Sequence, residues 1–173
     1  TGTDGVNSSF QCLPRMLRSS SVDDMDEAMR DWIDPSNNFV FADVHGSIGY
    51  LNRGRLPVRS MTNAWLPVPG WDGEHEWDGF VPFGQLTRIR DPAGGFIVTA
   101  NNQIASGDGP HYISLQFSPA HRARRIKNRL EEYTAVTVQD MASIHADIVS
   151  IPARQFSRLL SEATCTDESV REA

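Results

Sequence analysis

The stretch between residues 36 and 102 is rich in turn-forming residues, and it restricts the fold more than any other part of the sequence. Residues 38–44 alternate as a strand does, His45-Gly46-Ser47 has the composition of a tight turn, and residues 48–51 return as a second strand. Gly46 supplies the conformational freedom at positive φ that such a turn needs. The sequence therefore predicts an antiparallel β-hairpin.

A long loop and two further strands are predicted after the hairpin. Residues 66–83 contain repeated Pro and Gly and show little periodicity, which favours a long ordered loop. Trp65, Trp71 and Trp77 lie in or beside this loop, and their bulk argues against a flexible linker. Strands are then predicted near residues 85–90 and 95–100, separated by the turn Asp91-Pro92-Ala93-Gly94.

Helices are predicted on both sides of the β-rich stretch. After an irregular start, Ser21 and Asp24 form a capping box, and the helix continues to Asp34-Pro35 with an apolar stripe of Met25, Ala28, Met29 and Trp32. From Ser118 onward three helices are predicted. Their signals are Ala123, Ile126, Leu130 and Tyr133 in the first, Thr137 with Asp140 before the stripe Val138, Met141, Ile144 and Ile148 in the second, and Pro152 through Leu160 in the third.

These elements predict one α+β domain over residues 1–173. It consists of a linker and helix (1–35), a β-rich part (36–102) and a helical part (103–173). The 39% hydrophobic and 22% charged content is typical of a globular domain. The net charge of −6 argues against a nucleic-acid partner, and no apolar run is long enough to predict a membrane span. Cys12 and Cys165 are either paired or free thiols.

Local motifs give little evidence of catalysis. None of the five histidines lies in a nucleophile motif, and no G-x-S-x-G occurs. His145 is typical of a structural histidine beside an apolar helix face, and His75, between two glutamates, of a solvated loop. The alternating carboxylates permit acid–base chemistry of the glycosidase type, but a solvated edge is the more ordinary interpretation of Asp72, Glu74, Glu76 and Asp78.

Three blocks of sequence carry a family resemblance. They are NNFVFADVHGSIGYLNRGRLPVRS from Asn37, LPVPGWDGEHEWDGFVPF from Leu66, and DPAGGFIVTANN from Asp91. Their order and spacing resemble the β-chain of penicillin acylases, which are N-terminal-nucleophile hydrolases. The resemblance implies an antiparallel sheet segment of an αββα sandwich with C-terminal helices. It also implies cleavage of an amide by an N-terminal Ser, Cys or Thr, whose own α-amino group acts as the base.

Two catalytic roles follow from the resemblance. The stretch from Gly95 to Asn102 matches the family's oxyanion motif, so Asn101 is expected to donate its side-chain amide to the tetrahedral oxyanion. Arg122 matches the arginine that opens a helix and orients that asparagine, with Arg124 and Arg125 next in the same helix. The resemblance implies scaffold roles for Asn38, Asp43 and Gly46, with Asp43 as a turn or hydrogen-bonding residue.

The resemblance also implies what accompanies this chain. Thr1 is too close to Asn101 to match the family's nucleophile, so the nucleophile is expected outside the chain, which would be an internal and inactive part of a β-chain. The expected partners are the remainder of the acylase α- and β-chains and a small N-acyl amide, penicillin-like or acyl-homoserine-lactone-like, in the periplasm or outside the cell. No cofactor is predicted. Some relatives bind a structural calcium, but His111 stands near the position of an expected acidic ligand.

Two alternatives remain open at this point. In the first, the Trp-rich loop makes the chain a ligand- or partner-binding module, which exposed tryptophans would favour. In the second, the chain is a structural domain related to acylases and has no activity.

Overall fold

The computed structural model describes residues 8–104 and 111–163. In chain order, its elements are α1 (Ser9–Met16), α2 (Val22–Ala28), β1 (Asn37–Ala42), β2 (Ile48–Arg53), α3 (Thr62–Trp65), a 3-10 turn (Phe83–Gln85), β3 (Arg88–Arg90), α4 (His121–Leu130), α5 (Val138–His145) and α6 (Ile151–Glu162). The chain divides into an N-terminal unit, residues 1–117, and a C-terminal unit, residues 118–173. Helices accompany an antiparallel sheet, so the predicted α+β class is confirmed.

The sheet of the N-terminal unit has the order β1-β2-β3, with both neighbouring pairs antiparallel. The predicted hairpin is present, and Gly46 adopts a φ of 92° at its turn. The Asp43 carboxylate fixes this turn by accepting the backbone N–H groups of His45 at 2.9 Å and Ser47 at 3.0 Å. The prediction that Asp43 is a turn and hydrogen-bonding residue is therefore confirmed.

The two faces of the hairpin have different surroundings. Because side chains alternate along a strand, Phe39 and Leu51 pair on one face, and Asn38 and Asn52 pair on the other. The first face packs into the core, whose buried members are Met29, Leu51, Val81 and Leu86. The second face carries amide side chains and becomes the wall of a cavity described below.

Helix α2 begins where the sequence predicts. The Ser21 hydroxyl accepts the backbone N–H of Asp24 at 3.0 Å, and the Asp24 carboxylate accepts the N–H of Ser21 at 3.1 Å. The N–H of Val22 donates to the Asp43 carboxylate at 3.2 Å, which ties the start of α2 to the hairpin turn. The predicted capping box is therefore confirmed.

The predicted extension of α2 to Asp34 is wrong, because α2 ends at Ala28. In a continued helix, the carbonyls of Met29 and Arg30 would accept the N–H groups of Ile33 and Asp34. Instead both carbonyls accept the guanidinium of the buried Arg53. Both N–H groups donate to the Ser9 hydroxyl, at 2.9 and 3.0 Å. Side chains from other elements thus replace the next helical turn.

Residues 9–16, expected to be irregular, form α1. Its sequence hides it, because Pro14 lies inside the helix and no side chain caps its first turn. Cys12 is buried on this helix as a free thiol. Cys165 lies outside the described residues.

Two strand predictions are wrong in part or in full. Residues 85–90 contain the end of the 3-10 turn, and β3 is shorter than predicted because it pairs only with Gly49, Tyr50 and Leu51. Residues 95–100 are not a strand: the N–H of Gly95 closes a turn onto the Pro92 carbonyl at 2.8 Å. The apolar residues of this segment suit a strand, but a strand also needs a neighbouring strand to form hydrogen bonds with.

The C-terminal unit consists of α4, α5 and α6. The predicted cap of α5 is confirmed, since the Thr137 hydroxyl accepts the N–H of Asp140 at 3.2 Å, and Pro152 lies in the first turn of α6. The expected apolar stripe of α5 is only partly buried: Ile144 is inside, whereas Val138 is 82% exposed and Ile148 lies beyond the helix. The predicted loop at residues 66–83 is confirmed, with an isolated bridge between Pro57 and Phe80.

Candidate functional site

Asn101 follows the irregular segment 95–100 and has a left-handed backbone, with a φ of 62°. Asparagine tolerates this conformation better than most residues do. The preceding residue, Ala100, is buried, whereas Asn101 itself is exposed. The backbone thus presents the predicted oxyanion donor at the surface of the N-terminal unit.

Asn101 lies on the wall of a cavity of about 370 Å³ within this unit. Its polar lining includes Asn38, Tyr50, Asn52, Gln85, Thr87, Asn101, Asn102, Gln103, His111, Ser114 and Gln116, and its apolar lining includes Leu56, Val81, Leu86, Ile104, Ile113 and Phe117. Among the described residues that form this wall, none is Asp, Glu, Lys or Arg. Such a lining offers hydrogen bonds without fixed charge, which suits a neutral amide.

A hydrogen-bond network runs along the sheet side of the cavity. The Asn38 carboxamide oxygen accepts the Tyr50 hydroxyl at 2.7 Å and the Asn52 amide at 3.0 Å. The Asn38 amide donates to the Thr99 hydroxyl at 3.3 Å. Burial raises the pKa of the Tyr50 phenol above its ordinary value, so this group is protonated and able to donate at neutral pH.

The backbone around Asn101 is fixed by its neighbour. The Asn102 carboxamide oxygen accepts the N–H of Ala100 at 3.0 Å, and its amide donates to the Gln103 carbonyl at 2.9 Å. Across the cavity wall, His111 Nε2 lies 2.6 Å from Gln85 Oε1. These contacts place polar side chains around the segment that carries Asn101.

Asn38 was expected to be scaffold, and the hydrogen bonds of Tyr50 and Asn52 to it were not predicted from the sequence. A signal was available, because asparagine is uncommon in strands and here occurs at two directly paired positions of β1 and β2. The pairing places both amides on the same face of the hairpin.

Arg122, the second predicted site residue, is the second residue of α4 and is exposed. Its predicted pairing with Asn101, which belongs to the other unit, stays a prediction. Arg125 in the same helix already binds Asp147 through two hydrogen bonds, of 3.1 and 2.6 Å.

The other candidates from the sequence do not form a site. The acidic residues Asp72, Glu74, Glu76 and Asp78 are all exposed, as the solvated interpretation expects, and His145 is an exposed residue in the last turn of α5. Within residues 8–104 and 111–163, no three His, Cys, Asp or Glu side chains gather to hold a metal ion. The same part of the chain has no helix of the length and hydropathy needed to cross a lipid bilayer. Thr1 lies outside the described residues.

Comparison with known proteins gives a consistent family. The penicillin amidase family matches residues 1–173. The penicillin acylase 2 proenzyme of a Pseudomonas species is 49% identical over 142 residues, which are 82% of this chain and 18% of that protein. Acyl-homoserine lactone acylase QuiP of Pseudomonas fluorescens is 33% identical over 131 residues, or 76% of this chain and 15% of that protein.

The fold agrees with these sequence matches. A thermostable penicillin G acylase from Alcaligenes faecalis superposes with a TM-score of 0.72 at 21% identity, covering 94% of this chain and 30% of the solved one. The chain spans less than a fifth of the length of the two relatives compared above. Since the family matches throughout and the described residues share its fold, this chain belongs to the penicillin amidase family.

Proposed function

We propose that this chain supplies the oxyanion-stabilising part of an acylase that hydrolyses the amide bond of an N-acyl compound. The observation that carries the proposal is the place of Asn101, which lies on the wall of a cavity of about 370 Å³ lined by amide, hydroxyl, imidazole and apolar side chains. In the reaction, a nucleophile attacks the amide carbonyl and negative charge develops on its oxygen. A preorganised amide donor such as Asn101 stabilises that charge.

Arg122 is proposed to orient Asn101. A guanidinium that binds the carboxamide oxygen leaves the NH₂ group directed at the developing charge. The nucleophile itself is proposed to be an N-terminal Ser, Cys or Thr that lies outside this chain, with its α-amino group as the base. An α-amine has an ordinary pKa near ~8, so it is partly neutral at physiological pH and can accept the proton.

The partners follow from the same proposal. The remaining acylase α- and β-chain segments would complete the site, and the substrate would be a penicillin-like or acyl-homoserine-lactone-like amide. Support comes from the names of the relatives, which include a penicillin acylase and acyl-homoserine lactone acylases. A periplasmic or secreted location is proposed from the family resemblance alone.

Substitution of Asn101 in the complete acylase tests the proposal. We expect Asn101→Ala to lower kcat by about 10²–10³-fold with a much smaller change in KM, because the donor acts mainly in the transition state. Asn128→Ala, which removes an exposed asparagine of α4, is the matched control and should leave kcat unchanged. If Asn101→Ala keeps kcat within about threefold of the starting enzyme, Asn101 is not the oxyanion donor.

Arg122→Lys tests the orienting role separately. Lysine keeps the positive charge but loses the planar fork of arginine, so we expect kcat to fall about tenfold in the complete acylase. Arg124→Lys, on the same helix, is the control and should retain activity. An equal loss in both variants would show that the effect is not specific to Arg122 and would overturn the orienting role.

One observation favours a second candidate, a binding module. Trp65 and Trp71, in and beside the long loop, are 68% and 88% exposed, as an aromatic docking loop would require. Titration of the chain with N-acyl amides, while intrinsic fluorescence is recorded, tests this. A saturable signal that Trp71→Ser abolishes would support the module, and the absence of any saturable signal would reject it.

A further inference from the structure

We propose that Asn38 is a positioning residue for Asn101, holding the segment that carries this oxyanion donor against the sheet through its hydrogen bond to Thr99. The inference rests on the function proposed above. It assigns a task to a residue whose resemblance to the family suggested only a scaffold role.

Asn38 is joined to the distant Thr99 by a side-chain hydrogen bond. Asn38 lies on β1, and its amide reaches the Thr99 hydroxyl at 3.3 Å, 61 residues later in the chain. The segment 95–100 does not belong to the sheet β1-β2-β3. The hydrogen bond between the Asn38 and Thr99 side chains therefore connects this segment to β1, as backbone hydrogen bonds would connect a neighbouring strand.

The hydrogen-bond partners of Asn38 define the direction of its carboxamide. Its oxygen accepts two donors, the Tyr50 hydroxyl at 2.7 Å and the Asn52 amide at 3.0 Å. With these two donors bound, the carboxamide oxygen faces β2 and the NH₂ group faces Thr99. Tyr50 is 4% exposed, so packing restricts the side chain that supplies the first of these donors.

Thr99 lies close to Asn101 along the chain. They are separated only by Ala100, which is buried and whose N–H is held by the Asn102 side chain at 3.0 Å. Asn101 follows with a φ of 62°. Because a single residue separates Thr99 from Asn101, we expect a shift of Thr99 to change the position of Asn101. Catalytic groups must be held within about 0.5 Å, and a misplacement of about 1 Å can reduce the rate by about 10²-fold.

A kinetic comparison in the complete acylase tests the proposal. Thr99→Val removes the acceptor oxygen at nearly constant volume, whereas Thr99→Ser keeps it. We expect Thr99→Val to lower kcat about tenfold with KM within about twofold, and Thr99→Ser to retain kcat. Equal kcat values for Thr99→Val and the starting enzyme would overturn the proposal.

A stability control separates positioning from folding. Ser21→Ala removes the cap of α2 and should lower the unfolding temperature without lowering kcat. If Ser21→Ala and Thr99→Val lower kcat equally, Thr99 acts through general stability and the positioning role is rejected.

Amide-proton exchange in the 173-residue chain makes the proposal independent of the acylase assignment. We expect Thr99→Val, but not Thr99→Ser, to speed exchange at Ala100 and Asn102 by about tenfold, because the local tie is lost. Unchanged exchange would overturn the positioning role. If exchange responds while Asn101→Ala keeps full activity in the acylase, the tie is real and it is the proposed function that fails.

Discussion

At the scale of single residues, Asp147 shows how the C-terminal unit is stabilised. Its carboxylate binds Arg125 at 2.6 and 3.1 Å and accepts the N–H of Val149 at 2.9 Å. The Arg125 guanidinium, followed by this backbone N–H, lowers the pKa of Asp147 from 3.8 to about 2. The carboxylate is therefore ionised over nearly the whole experimental pH range.

The depressed pKa of Asp147 predicts a defined acid dependence. A carboxyl group with a lower pKa in the folded state stabilises that state above its unfolded pKa, and this stability is lost as pH falls from about 4 to about 2. Asp147→Asn should therefore lower the free energy of unfolding at pH 7, with a difference that shrinks toward pH 2. An NMR titration of the Asp147 carboxyl carbon with a midpoint at 3.8 or above would contradict this.

A side chain added at Gly49 of β2 would clash with its neighbours. A Cβ added there would lie 2.5 Å from Val22 Cγ1 and 2.7 Å from Phe41 Cε2, on the core face of the hairpin. We expect Gly49→Ala to reduce the free energy of unfolding by about 1–3 kcal/mol, as overpacked cores do. Gly84→Ala is the control, because a Cβ there meets nothing within 4 Å. Urea denaturation that finds the two variants equally stable would disprove the clash.

At the scale of elements, we expect removal of the N-cap of α2 to lower the free energy of unfolding. Ser21→Ala removes the acceptor of the Asp24 N–H and should cost about 1 kcal/mol of stability. Ser21→Asp retains a capping oxygen and should recover most of it. Thr134→Ala, at an exposed position outside the helices, serves as the control. Thermal unfolding by circular dichroism compares the four proteins, and a neutral Ser21→Ala would show that the cap does not contribute.

The caps could be predicted from the sequence because they are local. Ser21 with Asp24, and Thr137 with Asp140, satisfy backbone groups within one turn, so the residues alone contain the information. The end of α2 could not be predicted, since it depends on Ser9 and Arg53, each more than twenty residues from the atoms that it binds.

In the candidate site, too, the local features could be predicted from the sequence and the long-range contacts could not. The motif before Asn101 identified a residue that does lie on a cavity wall. The strand expected at residues 95–100 failed, because no local pattern records whether a neighbouring strand is present. The network of Asn38 with Thr99 was equally invisible, since its members are distant in sequence and their amides could have pointed to either side.

At the scale of the whole molecule, large apolar side chains remain exposed in both units. Phe10 and Leu17 of the α1 region are 80% and 88% exposed, and Phe156 and Leu160 of α6 are 65% and 74% exposed. Apolar surface of this kind usually marks a contact with other protein. It supports the proposal that further acylase segments cover this chain.

This exposure predicts how the chain behaves alone. We expect it to bind the dye ANS and to self-associate at micromolar concentration, and the double substitution Phe10→Ser and Leu17→Ser should reduce both. The exposed Arg18→Ser is the control and should change neither. If the double variant binds ANS and sediments as the starting chain does, α1 is not part of an interaction surface.

The division of the chain at Phe117 has a spectroscopic consequence. All four tryptophans, Trp32, Trp65, Trp71 and Trp77, lie in the N-terminal unit, and residues 118–173 contain none. Indole emission excited near its red edge therefore reports only on the unit that carries Asn101. The chain has a built-in optical probe of its candidate site, and this probe works without labelling in the presence of the C-terminal helices.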